Sequence, residues 1–212
     1  MEELRAAEKA AQAAGEVIAR LYGGDYWVQE KSRDNPVTAA DLMANRIIRE
    51  VLVEKFPDDA WLSEEDADDP SRLTRSRVWI VDPLDGTREF IRGIPEFCVS
   101  IGLAVNGNPA LGVIYHPLRR ELFNAVRGGG ARLNGRSLHV RIAGASTPPC
   151  ILVSRSESSG RLTELGGDFV LKPMGSIAYR LASVARGDAD ATLTFRRVKE
   201  WDVCAGVVIV NE

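Results

Sequence analysis

The chain has 212 residues, of which 45% are hydrophobic and 27% charged, and its formal net charge is −3. These values are typical of a globular protein with one large domain or two closely joined ones. The charge gives no reason to expect a nucleic acid or a membrane surface as partner, but it leaves room for a small anionic substrate if bound cations reverse the local field.

The cysteines and histidines exclude several kinds of site. Cys98, Cys150 and Cys204 are odd in number, widely spaced and without a CxxC pair, which argues against a disulfide framework or a zinc site. His116 and His139 are too few for a histidine-rich metal centre. The N-terminus is too charged for a signal peptide, and no apolar run reaches the roughly 18 residues of a membrane span. We therefore expect a cytoplasmic protein.

The hydrophobic pattern predicts alternating blocks of helices and strands. Apolar residues at helical spacing predict helices over residues 2–22 and 38–56, and Thr38 with Asp41 forms a capping box at the start of the second. Helices are also predicted over residues 175–186 and 202–210. Short apolar runs predict strands, antiparallel in appearance, at residues 78–81, 97–105, 109–115, 121–125, 150–154, 169–172 and 191–195.

This order of elements predicts an α+β fold with a layered αβαβα architecture. The Thr-Pro-Pro run at residues 147–149 predicts a junction between an N-terminal α+β subdomain, residues 1–146, and a C-terminal α/β subdomain, residues 147–212.

The strongest chemical signal is the hexapeptide Asp-Pro-Leu-Asp-Gly-Thr at residues 82–87. An apolar strand leads into Asp82, and Asp85 follows three residues later, so both carboxylates can bind one hard cation or bridge two. Gly86 permits close backbone approach, and Thr87 can begin a short helix whose first amides face an anion. Cations and amides at one spot suit metal-assisted phosphoryl transfer. The purely structural alternative is an Asp-Pro turn before a capped helix. It explains the presence of one of the two aspartates but not of both.

Two other acidic positions are ambiguous when each is considered alone. Glu64 and Glu65 lie in an acidic stretch after the second helix, which is more often a solvated run of charges. Asp202 lies at the start of an apolar helix, where an aspartate more often caps the helix than binds a metal.

Together, these motifs resemble the inositol monophosphatase superfamily. In that family a Glu-Glu pair, an Asp-Pro-(Ile/Leu)-Asp-Gly-Thr motif and a Trp-Asp-x-Ala-Ala-Gly-like motif occur in this order. Here they are residues 63–65, 82–87 and 201–206. The upstream residues Lys31, Asp34, Thr38 and Asp41 are also similar to the first conserved segment of the family. The resemblance extends over nearly the whole chain.

The resemblance implies a lithium-sensitive phosphomonoesterase that uses two or three Mg²⁺ ions, with Mn²⁺ as a substitute. It implies metal ligands in both subdomains, most of them in the first: Glu64, Asp82, the Leu84 carbonyl, Asp85 and Asp202, with Asp41 as a weaker candidate for an outer metal or its water. It also implies that Thr87 and Glu64 orient and deprotonate a metal-activated water, with Asp85 as a third catalytic residue and no covalent phosphoenzyme. A small phosphorylated metabolite is the expected partner, and a homodimer the expected assembly.

Substrate binding is expected from residues near the metals and from a basic cluster before Asp202: Asp85, Gly86, Thr87, Gly175, Ser176, Arg196, Arg197 and Lys199. The basic cluster can read a second phosphate, or it can be a solvated loop. Residues 87–90, 154–157 and 200–202 look like the 3′(2′),5′-bisphosphate nucleotidase branch, whereas residues 94–95 and 99–102 look more like the inositol monophosphatases. We favour the nucleotidase and keep an inositol-1-phosphate or other sugar-phosphate phosphatase as the alternative.

Two other functions are compatible with parts of the sequence, and the sequence differs from the family pattern in one respect. Aspartyl-phosphate phosphotransferases use an Asp-x-Asp-x-Thr motif, and the Asp82–Asp85 spacing is one residue too long for it. An inactive metal-binding regulatory module is the rival from another class. The family continues beyond the Trp-Asp helix, whereas this sequence stops at Glu212. The last elements of the sandwich are therefore expected to be missing.

Overall fold

The computed structural model describes residues 1–32, 35–139, 148–155, 157 and 168–212. Within them lie five α-helices: α1 (Glu2–Leu21), α2 (Ala39–Lys55), α3 (Thr87–Ile91), α4 (Ile177–Arg186) and α5 (Glu200–Asn211). A 3₁₀ helix spans Pro70–Thr74. No helix among these residues is both long enough and apolar enough to span a bilayer.

The first layer is the antiparallel-looking pair α1 and α2, which covers one face of a large sheet. Helix α1 buries alanines along one side, and their small side chains let the two helices approach closely. Thr38 caps α2: its backbone N–H donates to Asp41 Oδ2 over 2.7 Å, and the Ala40 N–H donates to Thr38 Oγ1 over 3.1 Å. The predicted capping box is present.

The second layer is a seven-stranded sheet with strand order β3-β4-β5-β6-β7-β8-β9. Only β3 and β4 pair in parallel, and the remaining pairs are antiparallel. The strands are β3 (Ala60–Ser63), β4 (Arg77–Asp85), β5 (Cys98–Val105), β6 (Asn108–His116), β7 (Glu121–Val126), β8 (Ala131–Leu133) and β9 (Arg136–Ser137).

Helices α4 and α5 form the third layer on the opposite face of this sheet, and a three-stranded sheet lies beyond α4. That sheet has the order β11-β10-β12 and consists of β10 (Cys150–Val153), β11 (Val170–Pro173) and β12 (Ala191–Leu193). All its pairs are parallel, so the antiparallel appearance expected from the sequence was wrong for this half. Helix α4 lies between β11 and β12 in the chain, and such a crossover brings strands together in parallel.

A pair of glycines lets α5 lie directly on the large sheet. Gly102 and Gly112 are opposite each other on β5 and β6. A Cβ at Gly102 would lie 2.5 Å from Cys204 Sγ, and a Cβ at Gly112 would lie 2.3 Å from the Ala205 carbonyl oxygen. The backbone of α5 therefore occupies the space that side chains would fill on these strands.

The α+β sandwich expected from the sequence is confirmed, with layers in the order α, β, α, β among the described residues. Several short strands were missed, including β3 and a hairpin of β1 (Val28–Ser32) and β2 (Asn35–Thr38). The residue at the predicted junction, Thr147, lies outside the described residues, and the two-subdomain division stays a prediction.

Candidate active site

A cleft of about 340 Å³ lies where the ends of β3 and β4 meet the first turns of α4 and α5. Six carboxylates line it, and four of them were singled out from distant parts of the sequence: Glu64, Asp82, Asp85 and Asp202. Leu84, Gly86, Thr87, Gly175 and Ser176 also line the cleft. The fold thus brings together most of the residues singled out from the sequence.

The parallel pairing of β3 and β4 places Glu64 beside Asp82. Ser63 is opposite Val81, and the Glu64 N–H donates to the Val81 carbonyl over 3.1 Å. Glu64 directly follows Ser63 and Asp82 directly follows Val81, the last residues that pair between β3 and β4, so the two carboxylates lie side by side. Strand β3 was not predicted, because Ala60–Ser63 is short and follows a Pro-Asp-Asp turn.

Strand β4 does not end at Asp82 as expected but continues to Asp85. Asp82 is opposite Ser100 and Asp85 is opposite Cys98, so the register is irregular between the two aspartates. Pro83 has no N–H to donate to the ladder, which accounts for a bulge at this point. The bulge directs both carboxylates towards the cleft, where both are found.

The start of α4 holds Asp85. Asp85 Oδ2 accepts hydrogen bonds from Ser176 Oγ over 2.6 Å and from the Ala178 N–H over 2.7 Å. Ser176 has φ 49° and ψ 111°, a conformation that costs a residue other than glycine on the order of 1–3 kcal/mol. Burial and the nearby charge of Asp202 raise the pKa of Asp85 to about 7, although the two hydrogen bonds oppose the rise.

Asp41 supports Thr87 from behind the cleft. The Thr87 hydroxyl can donate to Asp41 Oδ1 over 2.8 Å or to the Leu84 carbonyl over 3.0 Å. The other oxygen of Asp41 accepts the capping bonds from Thr38. Asp41 is buried and is not among the residues that line the cleft. Its position fits a role in orienting Thr87, and the proposed role as an outer metal ligand stays a prediction.

Asp202 combines a capping role with a position in the cleft. Its Oδ2 accepts a hydrogen bond from the Lys199 N–H over 2.6 Å, and the residue also lines the cleft. Arg196 and Arg197, from the loop before α5, line the same cleft. Lys199 does not line it: its ammonium group lies 5.9 Å from the centre of the Trp201 ring. The basic cluster expected from the sequence is therefore divided by the fold.

The carboxylates form a strongly anionic centre. Burial and the nearby charges of Glu64, Asp85 and Asp202 raise the pKa of Asp82 well above its usual range. Hard oxygen donors at this density fit Mg²⁺ or Mn²⁺. In the part of the chain that the structure describes, no three Asp, Glu, His or Cys side chains are grouped so that they could hold a metal ion as they stand. The donors instead line an open cleft, which suits a catalytic metal site because such sites keep open coordination positions.

Lys31 offsets part of this charge at the edge of the site. Its ammonium group pairs with Glu65 and lies 3.4 Å from Glu64 Oε1. Both glutamates therefore share the Lys31 cation, but only Glu64 lines the cleft. Asp34, the other member of the first segment, lies outside the described residues.

Arg180 is a residue of the site that the sequence analysis missed. It lies on α4, lines the cleft and is only 4% exposed. Its Nη1 donates to Thr192 Oγ1 and to the Leu193 carbonyl, each over 3.2 Å, whereas Nε has no acceptor among the described residues. The sequence offered one indication that was not used: Arg180 lies in the predicted helix over residues 175–186, four residues after Ser176.

The layered α+β sandwich and its carboxylate-lined cleft are those of a phosphoric monoester hydrolase, the class to which the named relatives belong. The model of the Inositol monophosphatase family matches residues 1–212. An "Inositol monophosphatase" of Mesembryanthemum crystallinum is 36% identical over 222 residues, covering 99% of this chain and 82% of that protein. A "3'(2'),5'-bisphosphate nucleotidase CysQ" of Salmonella typhimurium is 36% identical over 208 residues, covering 94% and 83%.

Among solved structures, the extragenic suppressor protein suhB from Bartonella henselae superposes with a TM-score of 0.89 at 32% identity, covering 100% of this chain and 85% of that one. The chain belongs to the inositol monophosphatase family, as its motifs indicated. It is a phosphatase of this generally metal-dependent family, which acts on small phosphorylated substrates.

Proposed function

We propose that this protein is a Mg²⁺-dependent, lithium-sensitive phosphomonoesterase whose preferred substrate is a nucleoside 3′,5′-bisphosphate such as 3′-phosphoadenosine 5′-phosphate. One observation carries the proposal: the carboxylate centre and the guanidinium of Arg180, whose Nε has no hydrogen-bond partner among the described residues, line the same cleft. The first suits a phosphate that is hydrolysed, and the second suits another anionic group on the same molecule.

The carboxylates of Glu64, Asp82, Asp85 and Asp202, with the Leu84 carbonyl, would hold two or three Mg²⁺ ions, and Mn²⁺ could replace them. When bound, these ions supply electrostatic stabilisation to the phosphate oxygens and lower the pKa of water. Burial, followed by the charge of neighbouring carboxylates, raises the pKa of Asp82 and of Asp85, and a bound cation would stabilise their charged forms.

Thr87 and Glu64 orient the attacking water. Asp41 holds the Thr87 hydroxyl over 2.8 Å, so Thr87 Oγ1 can accept a hydrogen bond from water while donating its own proton to Asp41. Glu64 takes the proton that the water loses as its oxygen bonds to phosphorus. The bond between phosphorus and the ester oxygen breaks, and the departing oxygen is protonated from solvent. The products are inorganic phosphate and an alcohol, without a phosphoenzyme.

Three arginines support a second anionic group on the substrate. Arg196 and Arg197 lie at the cleft on the loop before α5, and Arg180 lies inside it on α4. A second phosphate would find charge-assisted donors there, each contributing about 1.5–3 kcal/mol at most. Inositol 1-phosphate has no second phosphate and would gain nothing from them.

Lys199 is a matched control for this proposal, because it belongs to the same basic run as Arg196 and Arg197 but does not line the cleft. We expect Arg196→Ala/Arg197→Ala to raise KM for 3′-phosphoadenosine 5′-phosphate by ~10-fold or more, because two charge-assisted donors are lost. KM for inositol 1-phosphate should hardly change. Lys199→Ala, which removes a cation facing Trp201, should leave both values near those of the wild type. Equal responses of the two substrates to the double substitution would remove the support for a bisphosphate.

Inositol-1-phosphate or another sugar-phosphate phosphatase is the second candidate. The relative from Mesembryanthemum crystallinum carries the name inositol monophosphatase at the same 36% identity as the nucleotidase. A higher kcat/KM for inositol 1-phosphate than for the bisphosphate would favour this reading. No turnover of either substrate with Mg²⁺ would favour an inactive metal-binding module, and a phosphoenzyme trapped on Asp82 would favour an aspartyl-phosphate mechanism.

We also propose a cytoplasmic homodimer. The three cysteines are free in the structure, which suits a reducing compartment. The dimer rests on the family resemblance alone, and sedimentation or light scattering would test it.

A further inference from the structure

The loop between α3 and β5 carries a glutamate that is not one of the proposed metal ligands. Glu96 is mostly buried, with its side chain 16% exposed. Its carboxylate pairs with both Nε and Nη2 of Arg155, the Nε distance being 2.7 Å. The same carboxylate accepts a hydrogen bond from the Gly175 N–H over 2.7 Å. Glu96 thus binds two segments of the C-terminal part of the chain at once.

The backbone of this loop lies under the Asp-Pro-Leu-Asp-Gly-Thr motif. A Cβ on Gly86 would lie 2.7 Å from the Glu96 carbonyl oxygen and 3.1 Å from Phe97 Cα. The neighbouring Pro95 carbonyl accepts a hydrogen bond from the buried ring of His116 over 3.0 Å. The backbone that carries Glu96 is therefore held in place by these contacts and lies directly beside the motif.

Glu96 binds the N–H of Gly175, and the next residue, Ser176, binds Asp85. Ser176 has its unusual positive φ, and its hydroxyl donates to Asp85 Oδ2 over 2.6 Å. Gly175 is confined from the other side, because a Cβ there would lie 2.4 Å from Glu89 Cγ. The hydrogen bond from the Gly175 N–H to Glu96 fixes the Met174–Gly175 peptide, which lies one residue before Ser176.

We infer that Glu96 is a positioning residue, which acts through Gly175 and Ser176 to fix the orientation of the Asp85 carboxylate. The inference rests on the proposed function, because it assigns Asp85 to the metal centre. Groups that orient a metal-binding carboxylate commonly contribute about 10–100-fold to metal affinity or activity. The alternative is a purely structural ion pair between Glu96 and Arg155 that ties the loop to the end of β10.

Three variants separate the two roles. Glu96→Ala removes both the ion pair and the acceptor for Gly175, whereas Glu96→Gln keeps an acceptor oxygen and loses the ion pair. Asp59→Ala is the matched control, since Asp59 pairs in the same two-bond manner with Arg77, at 2.6 and 3.1 Å, and does not line the cleft. Thermal unfolding establishes the temperature range in which each variant is folded, and the other measurements are made within that range.

Mn²⁺ affinity, measured by calorimetry or by the paramagnetic resonance of free Mn²⁺, is the first readout, and kcat with KM is the second. We expect Glu96→Ala to weaken Mn²⁺ binding and lower kcat by ~10-fold or more, with KM little changed, and Glu96→Gln to recover most of both losses. Folded Asp59→Ala should keep both values.

The inference is overturned if folded Glu96→Ala binds Mn²⁺ and turns over substrate like the wild type, if Glu96→Gln behaves like Glu96→Ala, or if Asp59→Ala loses as much. The Mn²⁺ readout needs no substrate. A wild-type protein that binds Mn²⁺ but fails to hydrolyse bisphosphates would count against the proposed function and leave the role of Glu96 measurable.

Discussion

Replacing Gly112 by alanine should damage the active site by displacing α5, the helix that carries Asp202. The new Cβ would lie 2.3 Å from the Ala205 carbonyl oxygen and 2.9 Å from Ala205 Cα, whereas ordinary contact begins near 3.4 Å. Because both obstacles are backbone atoms, α5 must retreat by about 1 Å, and such overpacking typically costs about 1–3 kcal/mol. Asp202 is one turn away on the same helix, and a displacement of this size can lower activity about 100-fold.

The assay combines urea unfolding with phosphatase kinetics under conditions where the variant is folded. Gly102→Ala provides a contrast, because its closest obstacle is the side-chain sulfur of Cys204 at 2.5 Å, and Gly102→Ala/Cys204→Ala should recover part of the lost stability. Gly24→Ala, with 3.4 Å to the nearest atom, is the control and should change little. A Gly112→Ala protein with the stability and kcat of the wild type would refute the reasoning that α5 rests directly on the strand.

Three other measurements test the centre and the core. Asp82→Asn or Asp85→Asn should lower kcat by at least ~10³-fold, because a charged ligand is lost from the metal centre, and near-normal turnover in folded protein would contradict the site. LiCl should inhibit more than matched NaCl, and equal responses would remove lithium sensitivity. Burial lowers the pKa of His116, so its neutral form stabilises the fold above about pH 6.5 and this contribution falls as the pH drops below that value. His116→Asn should flatten the pH dependence of Tm.

The sequence was a good guide wherever one local pattern decided the structure. The alanines of α1 and the Thr38–Asp41 capping box are local signals, and both helices begin and end within a residue or two of the predicted bounds. The motif at residues 82–87 indicated two carboxylates at the end of an apolar strand, and both lie in the cleft.

Features that depend on tertiary contacts could not be predicted in the same way. The parallel pairing of β3 with β4, which brings Glu64 beside Asp82, is a contact between segments with a turn and a 3₁₀ helix between them. Lys199 belongs to a basic run in the sequence, yet its side chain faces Trp201, while Arg196 and Arg197 line the cleft. The charges in a sequence do not tell where each side chain points. Only the fold shows that Lys199 lies away from the cleft that Arg196 and Arg197 line.

The four carboxylates proposed as metal ligands lie directly after β3, on β4 and on α5, and the positions of Glu64 and Asp202 span most of the chain. Such a centre has a high contact order, so it is complete only after β3, β4 and α5 have all docked. A divalent cation with affinity for the finished centre would bind the native state and not the unfolded chain, raising the unfolding temperature in proportion to the logarithm of its concentration. The metal supply would then govern how long the folded protein survives as well as how fast it works.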